Sequence, residues 1–159
     1  MYDTILIPTD GSQQAANAVK AGIALASELD ATVHAVYVVE QFEGRIVPIT
    51  GEQEEKSEEY HDYGQQILDE VAKAAEDVGV ECTTTVLDGI VHKEISDHAD
   101  DNDIDLIVMG KRGLTNIEEA ILGSTADKII RTVNKPVTVV HKEPTYNVLS
   151  HDEIHLSGW

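Results

Sequence analysis

Cysteine is almost missing from this chain: Cys82 is the only one in 159 residues. No intramolecular disulfide is therefore possible, and nothing points to an oxidising compartment. Cys82 falls in a stretch that reads as a strand, where a buried, inert thiol is expected rather than a nucleophile. Basic residues are scarce too, with 11 Lys and Arg against 30 Asp and Glu, a formal net charge of -19. A field of that sign repels phosphate backbones and anionic lipid, which argues against general nucleic-acid or membrane-surface binding. Long apolar runs are absent. Leu106 to Met109 is representative and far too short to cross a bilayer. Met1-Tyr2-Asp3-Thr4 leads straight into an apolar strand with no basic region before it. No signal peptide is visible, and a cytoplasmic location is expected.

The acid that is present lies in short clusters such as Glu52 to Glu55 and Asp100 to Asp105, with no acidic tail. Dispersed surface acid with little lysine fits a halophilic protein, since salt screens the self-repulsion. Hydrophobic residues at 42% are ordinary for a globular domain, and the length allows one core of normal size.

Two hydrophobic periods alternate along the chain. Ile5-Leu6-Ile7 reads as a buried strand closed by Pro8, Asp10 and Gly11. Ser12 offers an N-cap, and Ala16, Val19, Ile23 and Ala26 then recur at helical spacing to about Leu29. Thr32 to Val39 predicts a second strand and 40–52 a loop. A longer helix is predicted over 53–78, with Tyr60, Ile67, Leu68, Val71 and Val78 on one face and Gly79 as its stop. Strands are predicted at Glu81 to Leu87, Asp105 to Met109 and Pro136 to His141. Helices are predicted at Val91 to Asp101 and toward the end of 117–133, where Ala126, Ile129, Ile130 and Val133 are apolar. Apolar strands separated by amphipathic helices predict an α/β fold, a single doubly wound parallel sheet with helices on both faces, Rossmann-like. The pattern ends near residue 143, which suggests a domain over 1–143 and a C-terminal tail over 144–159.

Ligands of open α/β sheets bind beyond the carboxyl ends of the strands, where the winding reverses. Those ends here supply Thr9, Asp10 and Gly11, then Val38 to Gln41, then Met109-Gly110-Lys111-Arg112-Gly113. After nine intervening residues Gly113 is followed by Gly123, Ser124 and Thr125, opening a helix. Glycines let the backbone approach an anion, a helix N-terminus presents free N–H groups, and the two hydroxyls add donors. Lys111-Arg112 is a cationic spot in an acidic molecule, in the loop where an anion would sit.

The run Gly110-x-x-Gly113, nine residues, Gly123-Ser124 resembles the nucleotide motif of the universal stress protein family, in its ATP-binding class. Ile5 to Ser12 is similar to the family's first strand and turn, and Gly89-Ile90-Val91-His92 to the segment before helix three. Asp105 to Gly110 is similar to its fourth strand and Lys135 to Val140 to its closing strand. The likeness covers about residues 2–142. It implies five strands in the order 3-2-1-4-5, ATP as cofactor with Mg2+ or Mn2+ held mainly by the phosphates, and a homodimer; strand 136–141, an apolar sheet edge in that order, is the expected interface. Carried over by the motif, Asp10 would contact the adenosine end, with the backbone of Pro8 and Thr9 beside it. Val38 would offer main-chain bonds to adenine and Gly110 would lie by the ribose, with Met109 and Arg112 also among the nucleotide-binding residues. Gly113 and Gly123 would frame the phosphates, with Ser124 and Thr125 donating to them. The implied function is a nucleotide-dependent regulatory or stress-response module.

Other signals are weaker. His151-Asp152-Glu153-Ile154-His155 spaces two histidines four apart, but a zincin needs Glu directly after the first. Lys135-Pro136 precedes the last strand, whereas in a phosphotransfer receiver that pair follows it. His92 and His98 on the third helix suit capping or satisfied surface roles. No nucleophile–base pair is visible, so any hydrolysis should be slow. Two alternatives stay open: a slow ATP-hydrolysing or nucleotidyl-transferring enzyme that uses Asp10 to hold a metal, and an interaction module without nucleotide.

Overall fold

The computed structural model describes residues 1–41, 51–111 and 122–141, with side chains of 51–55 excepted. Five strands alternate with four helices: β1 Thr4–Pro8, α1 Gln13–Leu29, β2 Thr32–Glu40, α2 Gly51–Asp77, β3 Cys82–Gly89, α3 Val91–Asp101, β4 Leu106–Gly110, α4 Ser124–Thr132 and β5 Val137–Val140. The sheet is parallel throughout, in the order β3-β2-β1-β4-β5. The implied strand order is thus the observed one. Central β1 pairs with β2 through Ile5↔Val33 and with β4 through Ile5↔Leu106, so the winding reverses beside it.

Two cores result because successive strand side chains point to opposite faces. Ile5, Ile7, Val33 and Ala35 meet α1 and α2 through Val19, Ile23, Leu68 and Val71. Leu6, Val36, Ile107 and Met109 meet α3 and α4 through Ile95, Ala99, Ala126 and Ile129. Each fully buried Ile or Leu of this kind contributes about 1.5–3 kcal/mol. The first helix starts as its sequence predicts, with Ser12 Oγ accepting from Ala15 N at 3.1 Å. Gly79 follows the end of α2, its N–H bonded to Glu76 O at 2.9 Å.

Several expectations need correction. Pro8 is the last residue of β1 rather than its breaker, because the next amide, Thr9 N, carries the ladder on to Val36 O at 2.9 Å. Asp105 stands outside β4. Its Oδ2 accepts from Asp3 N at 2.9 Å and Thr4 N at 3.1 Å, joining the starts of two strands. Glu81 precedes β3, and α4 begins at Ser124, with 117–121 outside the described residues. Tyr60 and Ile130 were expected on buried faces and are exposed instead. Cys82 is half-buried on edge strand β3, and desolvation pushes its thiol up to about 11, which leaves it inert. His98 is not a satisfied surface residue: its ring meets His34 of β2 edge-on at 5.8 Å, and its Nε2 is buried with no hydrogen-bond partner among the described residues. The tail over 144–159 lies outside the described residues.

Candidate functional site

Where the winding reverses, the carboxyl ends of β1, β2 and β4 diverge and leave a cleft of about 610 Å³. The turn after β1 makes its centre. Thr9 is buried there, and Ser12 N donates to Asp10 Oδ1 at 2.9 Å. Asp10 therefore uses one carboxylate oxygen to shape its own turn, an Asx-turn that also sets the start of α1. Its carboxylate remains part of the cleft lining.

The end of β4 makes one side, through Met109, Gly110 and Lys111. A Cβ on Gly110 would lie 2.9 Å from Gln14 O and 3.3 Å from Ala15 N, so glycine is required by the backbone of α1 whatever the cleft holds. The Lys111 peptide ties three elements together. Its N–H donates to Val140 O at 3.0 Å, and its carbonyl accepts from Gly123 N at 2.9 Å. That second bond brings the start of α4 to the cleft. Gly123 caps α4 without a side chain, so the first-turn N–H groups lack the acceptor that a Ser or Asp cap supplies. Ser124 and Thr125 line the cleft at this point.

The end of β2 makes the other side, with Val38 and Glu40, and Gln41 N bonds to Gly89 O at 2.8 Å beyond it. Val91 and Ile95 of α3 line the cleft below the sheet, and Tyr60 of α2 lines it above. Tyr37 and Tyr63 stack edge-on behind Tyr60 at 6.0 Å. Burial, followed by the neighbouring Tyr63, Asp10 and Tyr60, holds the Tyr37 hydroxyl above its ordinary range. Tyr37 therefore stays a neutral phenol. Asp10, Glu40 and Lys111 share the lining with apolar Val36, Val38, Ile95 and Met109.

Pro8, Thr9, Asp10, Val38, Met109, Gly110, Gly123, Ser124 and Thr125, all selected from the sequence, line this one cleft. Arg112 and Gly113 lie outside the described residues. Sequence reasoning missed Tyr60, Tyr37, Val91 and Ile95, while Glu40 falls in the strand-two end already singled out. Periodicity places Tyr60 on the apolar face of its helix and Tyr37 inside a strand, and nothing in the spacing marks Val91 or Ile95 as lining. A second hollow of about 590 Å³, at the opposite end of β3 by Asp69, Glu76, Glu81 and Cys82, contains none of the selected residues.

Residues 1–141 match the model of the universal stress protein family. The chain belongs to that family. Universal stress protein MJ0531 of Methanocaldococcus jannaschii is 42% identical over 142 residues, covering 89% of this chain and 84% of the relative. The solved structure of MJ0577, from the same organism, superposes with a TM-score of 0.78 at 34% identity, covering 88% of this chain and 96% of that one. A universal stress protein from Archaeoglobus fulgidus, solved in complex with dAMP, shares the fold with a TM-score of 0.62 at 22% identity, covering 87% and 98%. Among the described residues, no helix of this universal stress protein is long and apolar enough to cross a membrane.

Proposed function

We propose that this universal stress protein binds ATP in the cleft and acts in the cytoplasm as a nucleotide-dependent regulatory or stress-response module. One observation carries the reading: the separately selected strand ends and the uncapped start of α4 converge on a single concave site. The volume suits a small organic ligand, for which sites of about 300–1,000 Å³ are usual. Asp10 faces the adenosine end beside the backbone of Pro8 and Thr9, while Val38 offers its main chain to adenine. Met109 and Gly110 flank the ribose. Gly123, Ser124 and Thr125 hold phosphate at the helix N-terminus, with Arg112 and Gly113 completing that end. The fold seats an adenine nucleotide in the Archaeoglobus fulgidus relative.

The charge balance constrains how a triphosphate enters. Asp10 and Glu40 oppose it, and Lys111 offsets only part of that. Among the described residues no three His, Cys, Asp or Glu side chains stand together to hold a metal ion. A divalent cation, Mg2+ or Mn2+, is accordingly proposed to enter held mainly by the phosphates, where it would lower the charge that the cleft must accept. Asp10 as the principal metal ligand of a hydrolase is the competing reading.

Assembly is proposed through β5, the edge strand of the sheet among the described residues. Pro136 O accepts from Ile107 N of β4 and Val140 O from Lys111 N just after it, so alternation points the Val139 N–H outward. An apolar edge with open donors is a template for antiparallel pairing with a second copy about a two-fold axis. The domain is proposed to end near 143, with 144–159 as an appended tail.

The deciding experiment is mass spectrometry of ligand released from the purified, denatured protein, together with steady-state ATP turnover in magnesium at high salt. Retained ATP with slow or no turnover is expected. Rapid turnover that Asp10→Ala abolishes would favour the enzyme, and a protein that neither carries nor takes up ATP would leave the interaction module.

A further inference from the structure

Aromatic residues are only 4% of the chain, yet Tyr37, Tyr60 and Tyr63 gather at the carboxyl end of β2. Two of them have packing roles. A Cβ on Gly64 would collide with the Tyr37 ring, so α2 is pressed onto β2 at that point, and Tyr63 meets the same ring edge-on. Tyr60 lies one helical turn nearer the start of α2 than Gly64, on the same face, and so reaches past the end of the sheet. It belongs to neither core, is 57% exposed, and lines the cleft. The helix carrying it is fastened at this height: His61 Nε2 and Asp88 Oδ1, near the end of β3, are 2.7 Å apart. Across the cleft, from the other face of the sheet, Val91 of α3 presents apolar surface.

An exposed ring held over a concave site, with apolar surface opposite, has the form of a stacking platform for a flat heterocycle. We propose that Tyr60 is the aromatic wall against which the base of the bound nucleotide lies, and that it makes the site select purine nucleotides over bare polyphosphate. The inference rests on the nucleotide reading of the cleft. The contribution comes from the ring face and not from the hydroxyl, so phenylalanine serves equally well. Polyphosphate is gripped at the other end, by the start of α4, and gains nothing from Tyr60.

Calorimetric titration of the full chain, at one fixed high salt concentration, with ATP and with inorganic tripolyphosphate tests this. Tyr60→Ala is expected to weaken ATP about tenfold, in keeping with one base–aromatic stack, and to leave tripolyphosphate unchanged. Tyr60→Phe should bind ATP within about twofold of the parent, since the ring is retained. Equal ATP affinity in the parent and Tyr60→Ala would overturn the proposal, as would an equal loss for both ligands. If the parent takes up neither ligand, the nucleotide reading itself fails, and the role of Tyr60 fails with it. Far-ultraviolet circular dichroism confirms that each variant is folded, which its exposure makes the expected result.

Discussion

Gly110 is the position at which a ligand role and a packing role can be separated. In the family motif it is a nucleotide glycine, but its closest neighbours are the backbone atoms of α1. In Gly110→Ala the new Cβ would start 2.9 Å from Gln14 O, 3.1 Å from Gln14 C and 3.3 Å from Ala15 N. Ordinary contact begins about 0.5 Å farther out, and none of these atoms can swing aside as a side chain would. Either β4 or the first turn of α1 must move, against an interior packed nearly as tightly as a crystal. Overpacking of this kind costs about 1–3 kcal/mol. Gly110 is not among the positive-φ residues, so alanine suits its backbone and recovers about 0.4–1 kcal/mol from the unfolded state. The net loss is about 1.5 kcal/mol, and for a domain of this size that lowers Tm by about 3–6 °C. The assay is thermal unfolding of nucleotide-free protein, followed by circular dichroism in one buffer. A Tm equal to or above the parent's would refute the packing argument. Should ATP retention be lost at unchanged Tm, the glycine would be there for the ligand.

Three further outcomes are expected. A net charge of -19 should make Tm rise substantially between roughly 0.1 and 2 M KCl, as the Debye length falls from about 10 Å to under about 3 Å; a flat response would remove the high-salt interpretation. Desolvation lowers the pKa of His34 and of His98, where His34 also opposes protonation and Asp101 favours it, so the unfolded chain takes up these protons first. Stability is then fully present above the ordinary histidine value of 6.5 and declines as pH falls through that value toward the lowered ones of the folded state, and His98→Leu should flatten that decline in pH-dependent denaturant titrations. Val139→Pro deletes an outward donor of β5 while leaving the bonds to β4, and should give monomers by light scattering; persistent dimers would count against the β5 interface.

The layout of the sheet was legible because fully buried parallel strands must be apolar throughout, and the runs at Ile5 and Leu106 are. Helix ends were legible where side chains mark them, at Ser12 and near Gly79. Strand ends were less so. Asp105 sits next to four apolar residues and reads as their first member, yet its carboxylate bridges to the amides of Asp3 and Thr4, a contact made across 102 positions. The site was half legible for the same reason. Glycines, Asp10 and the Ser124-Thr125 pair are local signals of turns and helix starts, and the fold brings them together. Tyr60 and Val91 reach the cleft only because α2 and α3 run past opposite faces of β2, and periodicity within one helix carries no information about what lies beyond the sheet's end. His98 was unreadable on the same ground, since its partner His34 stands on another element.

The peptide of Lys111 has a consequence for how such a cleft can change over time. Its two hydrogen bonds, to Val140 and Gly123, fasten the points where the chain leaves the sheet and re-enters at α4. Eleven residues, 112–122, run between Lys111 and Gly123. Closing the same gap with twice as many residues would cost only about 0.6 kcal/mol more in chain entropy. Length in this segment is thus nearly decoupled from the stability of the sheet. Insertions and deletions can accumulate between the anchors while Gly123, Ser124 and Thr125 stay in place. The bonds to Val140 and Gly123 fix where the chain leaves the sheet and where it rejoins the fold, whatever the count between them.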